Sequence, residues 1–200
     1  MSDEILFFNI LTGGDDTCMH SNLLISLAAW RNELIHSKLD LHINDGILSV
    51  DPKKSEKLGM ILDQHILLSV PLERVQQLAV NFIKKNFKNP YKIKLCALHG
   101  HKQFGAFRKF FSCHDVELNQ QYLFENEFID LASIINYLVE QKKLATGFKE
   151  DPFRQLDLPS TNHYIGFANH LAKTYKHVQN LKKRKIKSNL FDELQLNIFN

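Results

Sequence analysis

Ten histidines, three cysteines and several short acidic clusters are the side chains of this chain that could do chemistry. Two histidine pairs have ligand-like spacing: His99 with His101 beside a strand end, and His163 with His170 seven apart near one helical face. Neither pair has a Cys or carboxylate partner at metal-ligand spacing, so packing or surface roles are expected of them. Cys113 precedes His114, but adjacent residues rarely face one another, which argues against a thiol–base pair. Cys96 lies in an apolar run and reads as a small buried hydrophobe. Asp15 and Asp16 sit just past a Gly13-Gly14 stop. There is no Gly-rich phosphate loop and no Gly-x-Ser-x-Gly nucleophile motif.

The elements that would position these groups follow from the apolar pattern. Ile5 to Leu11 is a short apolar run closed by Thr12-Gly13-Gly14, which predicts a buried strand and a turn. Leu23 to Trp30 reads as a second strand. Lys38 to Val50 alternates around Leu39, Leu41 and Ile43 before an Asn44-Asp45-Gly46 turn, as a hairpin partner would. Pro71 to Asn86 carries Leu72, Val75, Leu78, Ala79, Phe82 and Ile83 at helical spacing, with Pro leading it. Lys92 to Leu98 is a central-type strand, and Phe104 to Phe111 a helix. Glu127 to Asp130 is a short strand running into a helix over 131–141. A loop spans 142–159, and Thr161 to Leu181 is a long helix with Ile165, Ala168, Leu171, Ala172, Tyr175 and Val178 on one face. Early strands followed by alternating strands and helices predict an α/β fold, a mixed sheet with helices packed on it.

Length and composition set limits. The chain has 200 residues, 44% hydrophobic and 24% charged, with a net charge of +3. These values exclude disordered, collagen-like and disulfide-scaffold classes. No apolar run reaches the roughly 20 residues that span a bilayer, so no membrane partner is expected. The acidic start, Met1-Ser2-Asp3-Glu4, is unlike a secretory signal. An odd cysteine count without zinc spacing makes a reducing cytoplasm the expected compartment.

Several segments, in order, resemble the motifs of the DnaQ-like (DEDDh) 3′–5′ exonucleases. The first family motif, Phe-Asp-x-Glu-Thr-Thr-Gly, has its counterpart in Phe8-Asn9-Ile10-Leu11-Thr12-Gly13-Gly14. Leu24-Ile25-Ser26-Leu27-Ala28-Ala29-Trp30 is similar to the family's next strand. His99-Gly100-His101-Lys102-Gln103-Phe104-Gly105 resembles Gly-His-Asn-x-x-Phe-Asp. Ile129-Asp130-Leu131 matches an Ile-Asp-Thr segment. Tyr164-Ile165-Gly166-Phe167-Ala168-Asn169-His170-Leu171-Ala172-Lys173 follows the third motif, His-x-Ala-x-x-Asp-Ala-x-Ala-Thr. The resemblance covers roughly residues 4 to 180 and implies an RNase H-like fold.

Family chemistry uses four carboxylates to hold two divalent metals roughly 4 Å apart. Mg²⁺ and Mn²⁺ demand oxygen ligands. The four matching positions here are Asn9, Leu11, Gly105 and Asn169, and Tyr164 stands where the family has its general-base histidine. The resemblance therefore implies a degenerate site, a pseudo-exonuclease without catalytic residues, metal or other cofactor. The alternative is an active exonuclease with a relocated Mg²⁺ or Mn²⁺ site drawn from Asp15, Asp16 or Asp130. His163 would then supply a base one residue early, about 100° around the helix.

The segment after residue 181 has a different character. Lys182, Lys183, Arg184, Lys185 and Lys187 put five cations in six positions, more than the whole net charge. They could contact phosphate, and five contacts to single-stranded DNA would give a log–log salt slope of about −3.5. They equally suit a solvated helix end. Gln195-Leu196-Asn197-Ile198-Phe199 resembles the bacterial sliding-clamp-binding motif Gln-Leu-x-Leu-Phe. In that motif the Gln hydrogen-bonds at a rim, while Leu196 and the Ile198-Phe199 pair would fill apolar subpockets. Docking a tail that loses chain entropy gives affinity on the order of micromolar.

The sequence thus divides into an exonuclease-like domain over 1–181 and a basic linker with a flexible clamp-binding tail over 182–200. The expected partners are a DNA sliding clamp, a DNA polymerase subunit and single-stranded DNA, in replication or repair. A DNA-binding module without a clamp partner is the further alternative.

Overall fold

A computed structural model of the chain describes residues 4–16, 19–58, 65–89, 93–112, 128–158 and 165–196, with side chains in the last helix described to residue 181. Strand β1 (Ile5–Thr12) is buried along its whole length. Its apolar run, interrupted only by Asn9, reflects that burial, because helices cover both faces of the sheet. It pairs antiparallel with β2 (Asn22–Arg31), which pairs antiparallel with β3 (Leu34–Asn44). Parallel pairing joins β1 to β5 (Lys94–Ala97), and β5 to β6 (Phe128–Asp130). The two-residue β4 (Val70–Pro71) closes the other edge, giving the order β4-β3-β2-β1-β5-β6.

Two apolar layers sandwich this sheet. On one face Leu6, Phe8 and Ile10 pack with α2 (Leu72–Asn86) and α3 (Gly100–Ser112). On the other, Ile5, Phe7, Ala28 and Trp30 pack with α4 (Leu131–Glu140) and α6 (Phe167–Leu196). Alternation along β1 sends successive side chains to opposite layers. The mixed α/β architecture agrees with the sequence reading.

Local differences have physical causes. The β2–β3 hairpin turns at Asn32-Glu33, both with positive φ, 53° and 63°. This is the sense required by a two-residue hairpin matched to strand twist. Without a glycine it left no sequence signal, and β3 begins at Leu34 rather than Lys38. The 142–159 loop includes the short helix α5 (Gly147–Glu150) and a 3₁₀ turn at Arg154–Leu156. A short helix α1 (Pro52–Leu58) was not anticipated.

The long helix starts at Phe167 rather than Thr161, because Gly166 takes φ +76° immediately before it. Ile165, placed on the helix's apolar face by periodicity, precedes the helix and is 52% exposed. The backbone stays helical across residue 181 to Leu196, so the stretch read as a linker is helical. No Gly or Pro occurs after Gly166, and the Lys, Arg, Gln, Glu and Leu there are good helix formers.

The Gly13-Gly14 stop serves a chain crossing. Gly13 N–H donates to the Ser21 carbonyl (2.8 Å), and its own carbonyl accepts from Asp51 N–H (2.9 Å). A Cβ on Gly13 would lie 2.5 Å from the Ser49 carbonyl oxygen, so a side chain is excluded.

Candidate functional site

Cross-strand partners share a face of the sheet. Asn9 pairs with Ser26 and Ser26 with Asp40, forming one row. Leu11 pairs with Leu24 and Leu24 with His42, forming the next. The N-terminus of α6 sits on the first row. Ser26 Oγ accepts from Ala168 N–H (3.0 Å), and Asp40 Oδ1 accepts from Gly166 N–H (2.9 Å). Two backbone donors at the helix start thus find side-chain acceptors in the sheet. Asn9 is buried beside Ser26, and Asn169 is half-buried in the first turn of α6. The register therefore carries two of the four matched positions toward one place.

Leu11 is 5% exposed and packs with Leu23, Leu24 and Val50. Gly105 is half-buried on α3, two residues after Gln103 and so on nearly the opposite side of the helix. Gln103 has a structural task. Strand β5 stops pairing with β1 at Phe7–Cys96. Beyond that point the Gln103 side chain takes the place of a strand: Ile10 N–H donates to its Oε1 (2.7 Å), and its Nε2 donates to the Ile10 carbonyl (3.2 Å). Sequence reading passed over Gln103, Ser26 and Asp40. Side-chain bonds to backbone across 93 to 142 residues have no local signature.

The donor set does not fit two divalent cations. Asn9 and Asn169 offer neutral amide oxygens, while Leu11 and Gly105 offer no side-chain ligand; hard cations need several oxygens, preferably anionic. Among the described residues, no three His, Cys, Asp or Glu side chains are grouped to hold a metal. Asp15 and Asp16 are exposed on the turn after β1. Asp15 pairs with Lys102 at 3.7 Å in full solvent, a contact of little energetic weight. Asp130 is the N-cap of α4, accepting from Ala132 N–H (3.1 Å) and Ser133 Oγ (2.8 Å).

The end of β1 carries a cation instead. Lys54 Nζ is 3.4 Å from the Gly14 carbonyl and 3.5 Å from Thr12 Oγ1. Burial lowers its pKa, with Lys102 adding to the effect and Asp15 and Asp51 opposing it.

His170 is buried in α6 beside the Phe153 ring (5.6 Å), and its Nδ1 has no hydrogen-bond partner. Burial, then Lys173 and Lys38, hold it below the ordinary histidine range, against Asp40. His99 and His101 are exposed around the N-terminus of α3. Cys96 is buried in β5, where burial and Asp130 push its thiol well up. Tyr164, His163, Cys113, His114, Ile198 and Phe199 lie outside the described residues. Lys182, Lys183, Arg184, Lys185 and Lys187 fall on the α6 backbone, as do Gln195 and Leu196 at its last turn. No helix among the described residues is long and apolar enough to cross a membrane.

The architecture is that of exonuclease-type α/β domains. Escherichia coli exonuclease I in complex with a dT13 oligonucleotide superposes with a TM-score of 0.70 at 12% identity, covering 96% of this chain and 43% of that chain. The complex of the same enzyme with a dA16 oligonucleotide gives 0.69 at 11% identity, covering 97% and 43%. A chain from the structure of the yeast NOT1 MIF4G domain co-crystallized with CAF1 gives 0.60 at 14% identity, covering 90% and 80%. This chain spans less than half the length of the exonuclease I chains it matches. At these identities the likeness establishes the fold, not the activity. No protein-family model and no curated protein matches the sequence.

Proposed function

We propose that the chain is an exonuclease-like protein without nuclease activity. In this reading it binds a DNA sliding clamp through Gln195, Leu196, Ile198 and Phe199 and acts in cytoplasmic DNA replication or repair. The observation that carries the first half is the donor set at the matched positions. Asn9 and Leu11 are buried where two-metal chemistry would need carboxylates. Leu11 is moreover built into an apolar cluster.

The clamp half rests on the Gln-Leu-x-Ile-Phe pattern. Gln195 and Leu196 end α6, so docking in an extended form opens its last turn. Helix ends fray readily, which keeps that step small. A polymerase subunit is a second partner of the same reading. The five cations from Lys182 to Lys187 suit phosphate contact near the clamp.

The test is clamp binding by the full chain and by a chain truncated after Glu193. Loss of binding on truncation is expected, and equal affinity would sink the clamp claim.

A second reading, a DNA-binding module without a clamp partner, draws on Lys54 and Lys102 at the end of β1. The exonuclease I complexes carry oligonucleotides, and single-stranded DNA is the ligand this reading implies. Salt-dependent DNA binding that survives removal of residues 194–200 would favour it. An active enzyme with relocated Mg²⁺ or Mn²⁺ would instead require Asp15, Asp16 and Asp130 to converge. Asp130 is committed to capping α4, and the other two are exposed on the turn.

A further inference from the structure

His42 ends the row that begins at Leu11, two strands and about 10 Å away across the sheet. It faces His65, which belongs to a helical turn over 65–68 just before β4. The ring centroids are 5.6 Å apart and the planes are inclined by 56°. His42 is 9% exposed and His65 2%. Both His42 ring nitrogens and His65 Nδ1 are buried without any hydrogen-bond partner. Three unpaired nitrogens in one buried contact are unusual, because buried polar atoms are nearly always satisfied.

The chemistry of the pair is that of metal ligands. Burial holds both imidazoles below the ordinary histidine range; for His65 the neighbouring His42 adds to this, while Asp45 and a hydrogen bond to the Leu23 backbone oppose it. The bare ring nitrogens are the atoms a neutral imidazole would offer to a metal ion. Nδ1 of His65 has no partner. Asp45 adds negative charge nearby; it accepts from Ile47 and Leu48 N–H (3.2 and 3.1 Å) and hydrogen-bonds Ser21. Two imidazoles on one tetrahedral ion, with metal–nitrogen bonds of about 2.0–2.1 Å, place their ring centres about 5–6 Å apart. The observed separation fits.

We propose that His42 and His65 form a zinc-binding site in which two imidazoles ligate one Zn²⁺. Imidazole selects zinc or a similar first-row ion over Mg²⁺. The site is independent of the matched exonuclease positions and of the clamp motif. With two protein ligands it is weaker than a structural four-ligand site and leaves coordination positions open.

The test uses the full chain, freed of metal by chelation, titrated calorimetrically with Zn²⁺ alone. One equivalent should bind, and His42→Gln and His65→Gln should each weaken binding at least about tenfold, while the exposed His101→Gln should not. A measurement on the unaltered chain guards against misfolded variants: imidazole ¹⁵N resonances of His42 and His65 should shift first on adding Zn²⁺. Absence of binding at millimolar Zn²⁺, or shifts confined to other histidines, would overturn the proposal.

Discussion

Replacing Leu11 by glutamate restores a carboxylate at a position where the resembled family has one, and the structure predicts a penalty. Leu11 is almost fully buried among Leu23, Leu24 and Val50. Losing its apolar burial costs about 2 kcal/mol. An unpaired carboxylate there adds more, for a total of about 3–5 kcal/mol at neutral pH. Leu11→Gln separates the two contributions, since it is polar but uncharged.

The charge contribution depends on pH with a definite sign. Burial raises the folded-state pKa of a glutamate above its unfolded value of about 4.3. The penalty is therefore absent below that value and grows as pH rises toward the folded pKa. The gap between Leu11→Glu and Leu11→Gln should be near zero at about pH 4, widen by about 1.4 kcal/mol per pH unit up to the folded pKa, and level off there at about 1–3 kcal/mol. Urea unfolding across pH 4 to 7.5 measures it.

About 10 mM Mg²⁺ should rescue nothing, because Asn9 and Gly105 supply no anionic partner. Stabilisation of Leu11→Glu by more than about 1 kcal/mol would require a dissociation constant below about 2 mM. That result would refute the reasoning, since it would reveal acidic ligands converging on this position.

Two further outcomes follow from the same geometry. Gln103→Ala removes both bonds to the Ile10 backbone, which is 2% exposed; a loss of about 2 kcal/mol is expected in urea unfolding, and a loss under about 0.5 kcal/mol would contradict the strand-mimic role. His42, His65 and His170 all have folded-state pKa values lowered by burial, so the unfolded chain takes up protons first as pH falls through about 6.5. Their stabilising contribution is present above that pH and lost below it, so in metal-free buffer the urea midpoint should fall between pH 7.5 and 5.5; an unchanged or rising midpoint would contradict it.

Much of the fold was legible because it is written locally. The apolar run of β1, the periodicity of α2 and the Asn44-Asp45-Gly46 turn each carry their own signal. Gly46 N–H indeed donates to Asn44 Oδ1 at 2.9 Å. The β2–β3 turn was hidden because Asn32 and Glu33 adopt positive φ without a glycine to announce it. The basic stretch beginning at Lys182 read as a linker on its charge, although its residue types favour helix.

The candidate site was legible only in part: of the four matched positions, Asn9 on β1 and Asn169 on α6 are carried toward one place. Its supporting groups were not. Ser26 and Asp40 look like ordinary alternating strand residues until the register sets them under the start of α6. Gln103 lies inside the quoted motif, yet its role depends on where β5 ends. The His42–His65 pair joins a strand to a segment 23 residues later, and no ligand spacing marks it.

The most direct test of the central claim is degradation of a 3′-accessible, 5′-labelled single-stranded oligonucleotide by the full chain, with Mg²⁺ or Mn²⁺ and with chelator. The geometry predicts identical, intact product in both conditions. Metal-dependent shortening from the 3′ end, abolished by substituting Asp15, Asp16 or Asp130, would contradict it.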